Sequence, residues 1–110
     1  MEFSATKHGP FVVLAATGRM DAITAPRFET ECARQMEAGE KRLVVDMAGL
    51  EYISSAGLRS ILAAAKKLKA QGGDLAFCCL SGIVAEVFAV SGFAKLLPVL
   101  ATREEALART

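Results

Sequence analysis

The sequence holds one histidine, His8, so a histidine-based catalytic relay or a multi-histidine metal site has a single member to draw on. It has three cysteines, Cys32, Cys78 and Cys79, an odd number with no CxxC spacing, which leaves out the common dithiol redox motif and the zinc-knuckle patterns. Neighbours in a strand point to opposite faces, so Cys78 and Cys79 are not expected to pair. All three thiols read as small buried hydrophobes of a reducing compartment, with no metal. Long apolar runs are missing too: none approaches the ~20 residues of a membrane helix, and Met1–Pro10 lacks the apolar centre of a signal peptide. The expectation is a cytoplasmic chain without a membrane span. Neither charge sign is in excess, since the formal net charge is +1. A balance of that kind gives no electrostatic case for nucleic acid or an anionic bilayer. No GxGxxG or GxxxxGK[ST] occurs, so the standard phosphate cradles are absent and no cofactor is expected.

What is present is apolar: 53% of the residues are hydrophobic, which excludes a disordered chain. At 110 residues the chain reads as one domain, residues 1–110, able to bury roughly two-thirds of its unfolded surface without staples. "EFSAT" alternates weakly, as an edge strand does, "HGP" is a turn, and "FVVLAAT" is an apolar strand closed by Gly18. Asp21 or Thr24 caps a helix with Pro26 in its first turn. Ala25, Phe28, Cys32 and Met36 mark its buried face and Gly39 its end. "KRLVVDM" is a strand buried on both faces. Leu58, Ile61, Leu62, Ala65 and Leu68 recur at helical spacing until Gly72 and Gly73. "DLAFCCL" is the next strand. Ser81 opens a helix with Ile83, Val84, Val87 and Phe88 on its apolar face. "LLPVL" is a short edge strand because of Pro98, and Thr102 caps a terminal helix. Strands alternating with helices predict an α/β domain whose mixed, mostly parallel central sheet is flanked by about four helices.

The chemistry concentrates in "EYISSAGLRS", where two serines precede an Ala-Gly pair at a helix start. Ser55 is placed as the N-cap, which would use one hydroxyl and leave Ser54 and Gly57 without a reason. A glycine in a first turn weakens a helix but allows something to approach the backbone closely. The positive end of the helix would also accept an anion, and a phosphate on Ser55 would add roughly −1.5 to −2 charges there. A nucleophile is the poorest fit: "SSAG" is not a nucleophile elbow, and an Asp46–His8–Ser55 triad would need His8 to reach the serine. Asp21 and Asp46, near predicted strand ends, read as solvated caps rather than metal ligands.

"VVDMAGLEYISSAGLRSIL" resembles the signature of STAS domains, the family of anti-sigma factor antagonists and sulphate-transporter tails. "TGRMDAITAPRF" is similar to the family's lead-in to its first helix, and "GGDLAFCCLSGIVAEVFAVSGFAKLLPVLATREEAL" to its carboxy-terminal half, so the resemblance covers nearly the whole chain. It implies a non-enzymatic partner-switching protein. Unphosphorylated, such a protein binds an anti-sigma factor with serine kinase activity; phosphorylated, it lets go, and a metal-dependent serine phosphatase resets it. The family's acceptor serine maps onto Ser55. Its preceding Asp maps onto Ser54, where this chain departs, and this leaves Ser54 as the alternative acceptor. Asp21 matches the family's acidic position on the partner-facing surface, and Asp46 its Asp or Asn at the strand end. The implied docking surface comprises Asp21, Ser54, Ser55, Ala56, Gly57, Leu58 and Arg59. Two other readings stay open: a stand-alone STAS accessory subunit of a lipid or solute transport complex with no phosphoswitch, and a small hydrolase or nucleotide-binding enzyme.

Overall fold

The computed structural model describes residues 1–109. Five strands and five helices alternate as β1 Glu2–His8, β2 Phe11–Met20, α1 Ala25–Glu37, β3 Arg42–Ile53, α2 Ser55–Ala70, β4 Asp74–Cys78, α3 Gly82–Ser91, α4 Phe93–Leu96, β5 Val99–Leu100 and α5 Arg103–Leu107. The strands form one sheet in the order β1-β2-β3-β4-β5. The β1–β2 hairpin is antiparallel and every other pair is parallel, so the expected mixed α/β sheet is present. The two edges fall on β1, whose residues are mostly exposed, and on β5, which follows Pro98, as the sequence predicts.

β3 is the central strand, and Leu43 to Met47 are buried without interruption because helices cover both faces of the sheet here. The larger core joins Leu14, Val45, Phe77, Phe28, Ile61 and Phe88 from the strands and α1, α2 and α3. A smaller one, built on Phe11, Val13, Val44, Cys78 and Ala106, lies under α5. Two strands outrun their sequence-based ends. β2 continues through Gly18, and β3 runs past Met47 through "AGLEYI". Their pairing survives through shifts of register between Ala15 and Thr17 and between Gly18 and Arg19. Gly49 keeps that pairing free of contact, since a Cβ there would stand 2.6 Å from the Thr17 methyl and 3.3 Å from the Ala16 carbonyl oxygen. The short α4 was not anticipated; a single turn carries too little periodicity to be read.

The buried stripe of α2 is rotated from the expected one. Gly57, Ser60, Ile61, Ala64 and Leu68 are buried, whereas Leu58, Leu62 and Ala65 lie at its half-exposed margin. Burying Ser60 is possible because its hydroxyl donates to Glu29 Oε2 of α1 at 2.8 Å. On α1, Ala25, Phe28 and Cys32 are buried as expected, with Met36 half-buried. On α3, Val84 and Phe88 are buried and Ile83 is exposed.

Candidate functional site

Parallel strands deliver their C-terminal ends to one side of a sheet. Here β2 and β3 overrun β4, so their ends project together, with Met20 opposite Ile53 in the register. The chain leaves β2 into the turn Asp21–Thr24 and leaves β3 directly into α2. The Ser54 N–H donates to the Met20 carbonyl at 2.9 Å, which ties the two exits together. Asp21 and the serine pair are thereby neighbours although more than thirty residues separate them in the chain.

At the start of α2 the roles of the two serines differ from the expectation. Ser54, not Ser55, is the N-cap. Its backbone is extended (φ −95°, ψ 174°), its Oγ accepts from the Gly57 N–H at 3.2 Å, and its carbonyl accepts from Leu58 N–H at 3.0 Å. Ser55 is the first helical residue and is exposed. In a helix the Cα–Cβ bond tilts toward the N-terminus, so a group carried by Ser55 lies over the positive end of α2. The Ser55 and Ala56 N–H groups have no intrahelical acceptor, as at any helix start.

Gly57 is buried. A Cβ on it would stand 2.8 Å from Ile53 Cγ1, 3.0 Å from Met20 Cγ and 3.1 Å from the Met20 carbonyl oxygen. The close approach that this glycine permits is therefore that of the chain's own β2 and β3 ends, not of a partner. Leu58 is half-buried and Arg59 exposed, one helical turn beyond Ser55 on the same face.

Asp21 is a structural residue as well as a surface one. Its Oδ1 accepts from the N–H groups of Ile23 and Thr24, each at 3.0 Å. Thr24 Oγ1 accepts from the Asp21 N–H at 2.9 Å and donates to the Arg19 carbonyl at 2.7 Å. The Thr24 N–H above all, with that of Ile23, holds the Asp21 carboxyl below the usual carboxylate range. Asp21 thus caps the turn that precedes α1, while Thr24, at the helix N-cap position, makes no side-chain cap bond. The same turn presents Ile23 at 86% exposure. Sequence reasoning passed over this residue; the available signal was an aliphatic residue in a turn with no periodic partner to bury it. Beside it Arg19 lies over the Tyr52 ring, 4.2 Å from its centroid.

Asp46 is not part of this site. It lies seven residues before the end of β3, about 20 Å along the strand. Arg103 of α5 donates to its Oδ2 from two nitrogens, at 2.7 and 3.1 Å, and the Ala48 N–H donates to Oδ1 at 2.9 Å. Burial raises the Asp46 pKa, but these donors outweigh it and the carboxyl stays below its ordinary range. His8 is further away still, paired with Phe11 at the start of β2, whereas Ser54 is bonded to Met20 at its end. The Asp46–His8–Ser55 triad is therefore not assembled. Cys78 and Cys79 are both free thiols, and Cys79 is half-buried rather than buried as expected. β4 ends at Cys78, and Cys79 takes a left-handed backbone (φ 63°), so the two thiols do not alternate across a strand. Their sulfurs and an Asp46 oxygen lie within 4.8 Å of one another. Cys32 is buried in α1, where burial pushes its thiol up to about 12. Among the described residues, no helix is long and apolar enough to cross a membrane.

A mixed sheet whose longest parallel pair ends in a capped turn and a serine-opened helix defines an α/β module with Asp21 and the serine pair at one edge. The family model for the STAS domain matches residues 2–106, and the chain belongs to that family. Among its relatives, a protein of Bordetella bronchiseptica named as a candidate anti-sigma factor antagonist, BtrV, is 40% identical over 108 residues, which cover 98% of this chain and 93% of that protein. A candidate anti-sigma factor antagonist from Thermotoga maritima has the same fold, with a TM-score of 0.88 at 19% identity over 96% of this chain and 91% of that one. The phosphorylated form of the Bacillus cell fate determinant SpoIIAA matches with a TM-score of 0.71 at 21% identity, over 96% of each chain.

Proposed function

We propose that the protein is an anti-sigma factor antagonist and not an enzyme: a binding protein that holds an anti-sigma factor with serine kinase activity until Ser55 is phosphorylated. The observation that carries this reading is the exposed Ser55 at the first helical position of α2, beside the Asp21 turn. It is supported by a 40% identical relative named for that function. The exposed Ile23 supplies an apolar anchor, and Arg59 and the Ser55–Ala56 end of α2 supply positive potential for an acidic partner surface.

Phosphorylation changes that surface in two ways. It places roughly −1.5 to −2 charges over the helix start, and it gives Arg59, at i+4 on the same face, an intramolecular anion to pair with. The docking face gains negative charge beside the Asp21 carboxylate, and its Arg59 cation is engaged. Since about 1.4 kcal/mol is a tenfold change in affinity, a loss of a few kcal/mol is enough to release a partner. Ser54 is the poorer acceptor because the residue is half-buried and its Oγ accepts from the Gly57 N–H. A metal-dependent serine phosphatase completes the cycle by removing the phosphate.

The test is capture from the native cell with Ser55→Ala as bait and Ser55→Glu as its control. The reading predicts that a protein with an ATPase-type serine kinase domain is retained by the first and lost from the second. Retention of transport-complex subunits by both baits would replace it with the accessory-subunit reading.

A further inference from the structure

The sequence gives no reason to expect a metal, yet the fold collects three donors where β3, β4 and α5 meet, away from the α2 start. We infer that Cys78, Cys79 and Asp46 form a binding site for a soft d10 divalent cation of the zinc class, with Arg103 as its neutralising neighbour. The two sulfurs and a carboxylate oxygen already lie within 4.8 Å of one another. Tetrahedral metal–sulfur bonds of about 2.3 Å and metal–oxygen bonds of about 2.0 Å place the ligand atoms about 3.5–3.8 Å apart, so closing on an ion asks each pair to contract by about 1.3 Å at most. Two thiolates and a carboxylate with a divalent ion carry one net negative charge, and Arg103 on Asp46 Oδ2 cancels it.

A disulfide is the competing use of two adjacent thiols, and the backbone disfavours it. Cys78 and Cys79 are joined by a trans peptide, which fixes their Cα atoms about 3.8 Å apart, below the range an unstrained disulfide spans. A shared ion asks less of the pair, since it needs the sulfurs about 3.8 Å apart rather than about 2 Å. The left-handed Cys79 is what turns its sulfur toward Cys78 and Asp46. Access is through Cys79, which is half-buried, since Cys78 is fully covered.

Binding breaks two S–H bonds, forms two metal–sulfur bonds and releases two protons to solvent, so affinity rises with pH. Burial, with the nearby Cys79 thiol and Asp46 carboxylate, pushes the Cys78 thiol up to about 12, and a bound cation reverses that local electrostatics. Occupancy ties the end of β4 to β3 and, through Arg103, to α5, so it stabilises the domain without engaging the Asp21–Ser55 edge.

The test is titration of the reduced full chain with Zn²⁺, read by native mass spectrometry and thermal denaturation, and with Cd²⁺, read by the ultraviolet thiolate-to-metal band. One ion per chain, a melting temperature that climbs with Zn²⁺, and affinity at least about tenfold weaker in Cys79→Ser are expected. Peptide-mapped alkylation of the unaltered chain gives an independent readout that needs no variant: saturating Zn²⁺ should slow modification of Cys79 at least about tenfold. No one-to-one complex, undiminished affinity in Cys79→Ser, or unchanged alkylation of Cys79 would overturn the inference.

Discussion

Replacing Gly57 with alanine separates two accounts of the α2 start. In an exposed helix turn the change would stabilise the protein by about 1 kcal/mol, because alanine is the better helix former. Here the added methyl lands 2.8 Å from Ile53 Cγ1, 3.0 Å from Met20 Cγ and 3.1 Å from the Met20 carbonyl. Met20 and Ile53 are buried, and that carbonyl is held by the Ser54 N–H, so the neighbours have little room to yield. Overpacking of this kind costs about 1–3 kcal/mol. Set against the propensity gain, the net expectation is a loss of up to about 2 kcal/mol, or up to about 8 °C in melting temperature for a domain of this size. Relief of the clash moves α2 away from the β2 exit, so a partner docked across the two should also bind more weakly. Thermal denaturation by circular dichroism and a binding titration on the same sample measure both. A melting temperature clearly above that of the parent, as the propensity gain alone would give, would refute the packing argument, and with it the view that Gly57 serves the fold rather than a partner.

Other substitutions follow from the same geometry. Ser54→Ala removes the α2 cap and should cost about 1 kcal/mol in a urea titration, whereas Ser55→Ala should cost nothing measurable. Ile61→Ala, in the core, should cost about 2–5 kcal/mol and Leu62→Ala, at the margin, clearly less; equal losses would mean that α2 is rotated from its assigned position. Arg59→Ala should weaken partner binding at an unchanged melting temperature, while Asp21→Ala should lower both, because its carboxylate holds the turn. The Asp46 carboxyl has a folded pKa below its unfolded value of about 3.9, so its stabilising effect is complete above that pH and is lost as pH falls through the folded value. Asp46→Asn should therefore melt well below the parent at pH 7, and the gap should narrow as the parent is acidified below about pH 4.

The order of elements is legible because the apolar periods are clean and Gly39 and the Gly72–Gly73 pair punctuate them. What escaped was decided by tertiary contact. β2 continues through Gly18 because β3 offers it partners as far as Ile53, and no local pattern announces that pairing. Leu62 and Ile61 are equal hydrophobes one residue apart, and the Ser60–Glu29 bond between α2 and α1 accompanies the rotation that favours Ile61. The serine pair was readable as a helix start, but the division of labour within it was not. Either serine could cap by composition, and the choice follows from where β3 ends, which fixes Ser54 in extended backbone. The family resemblance counts Asp46 with the site as the Asp or Asn of a strand end, whereas the residues alone read it as a solvated cap. The full length of β3 moves it to mid-strand, and its partner Arg103 lies 57 residues away. Ile23 was passed over because a single exposed aliphatic residue is ordinarily without meaning; it gains one only beside Asp21 and Ser55.

The central claim is that Ser55 carries the switch. The most direct measurement is phosphopeptide mapping by mass spectrometry after incubating the protein, Ser54→Ala and Ser55→Ala with the captured kinase partner and ATP. Phosphate on Ser55 in the parent and in Ser54→Ala, none in Ser55→Ala, and loss of kinase binding on modification is the predicted result. Phosphate on Ser54, or undisturbed kinase binding after Ser55 is modified, would contradict it.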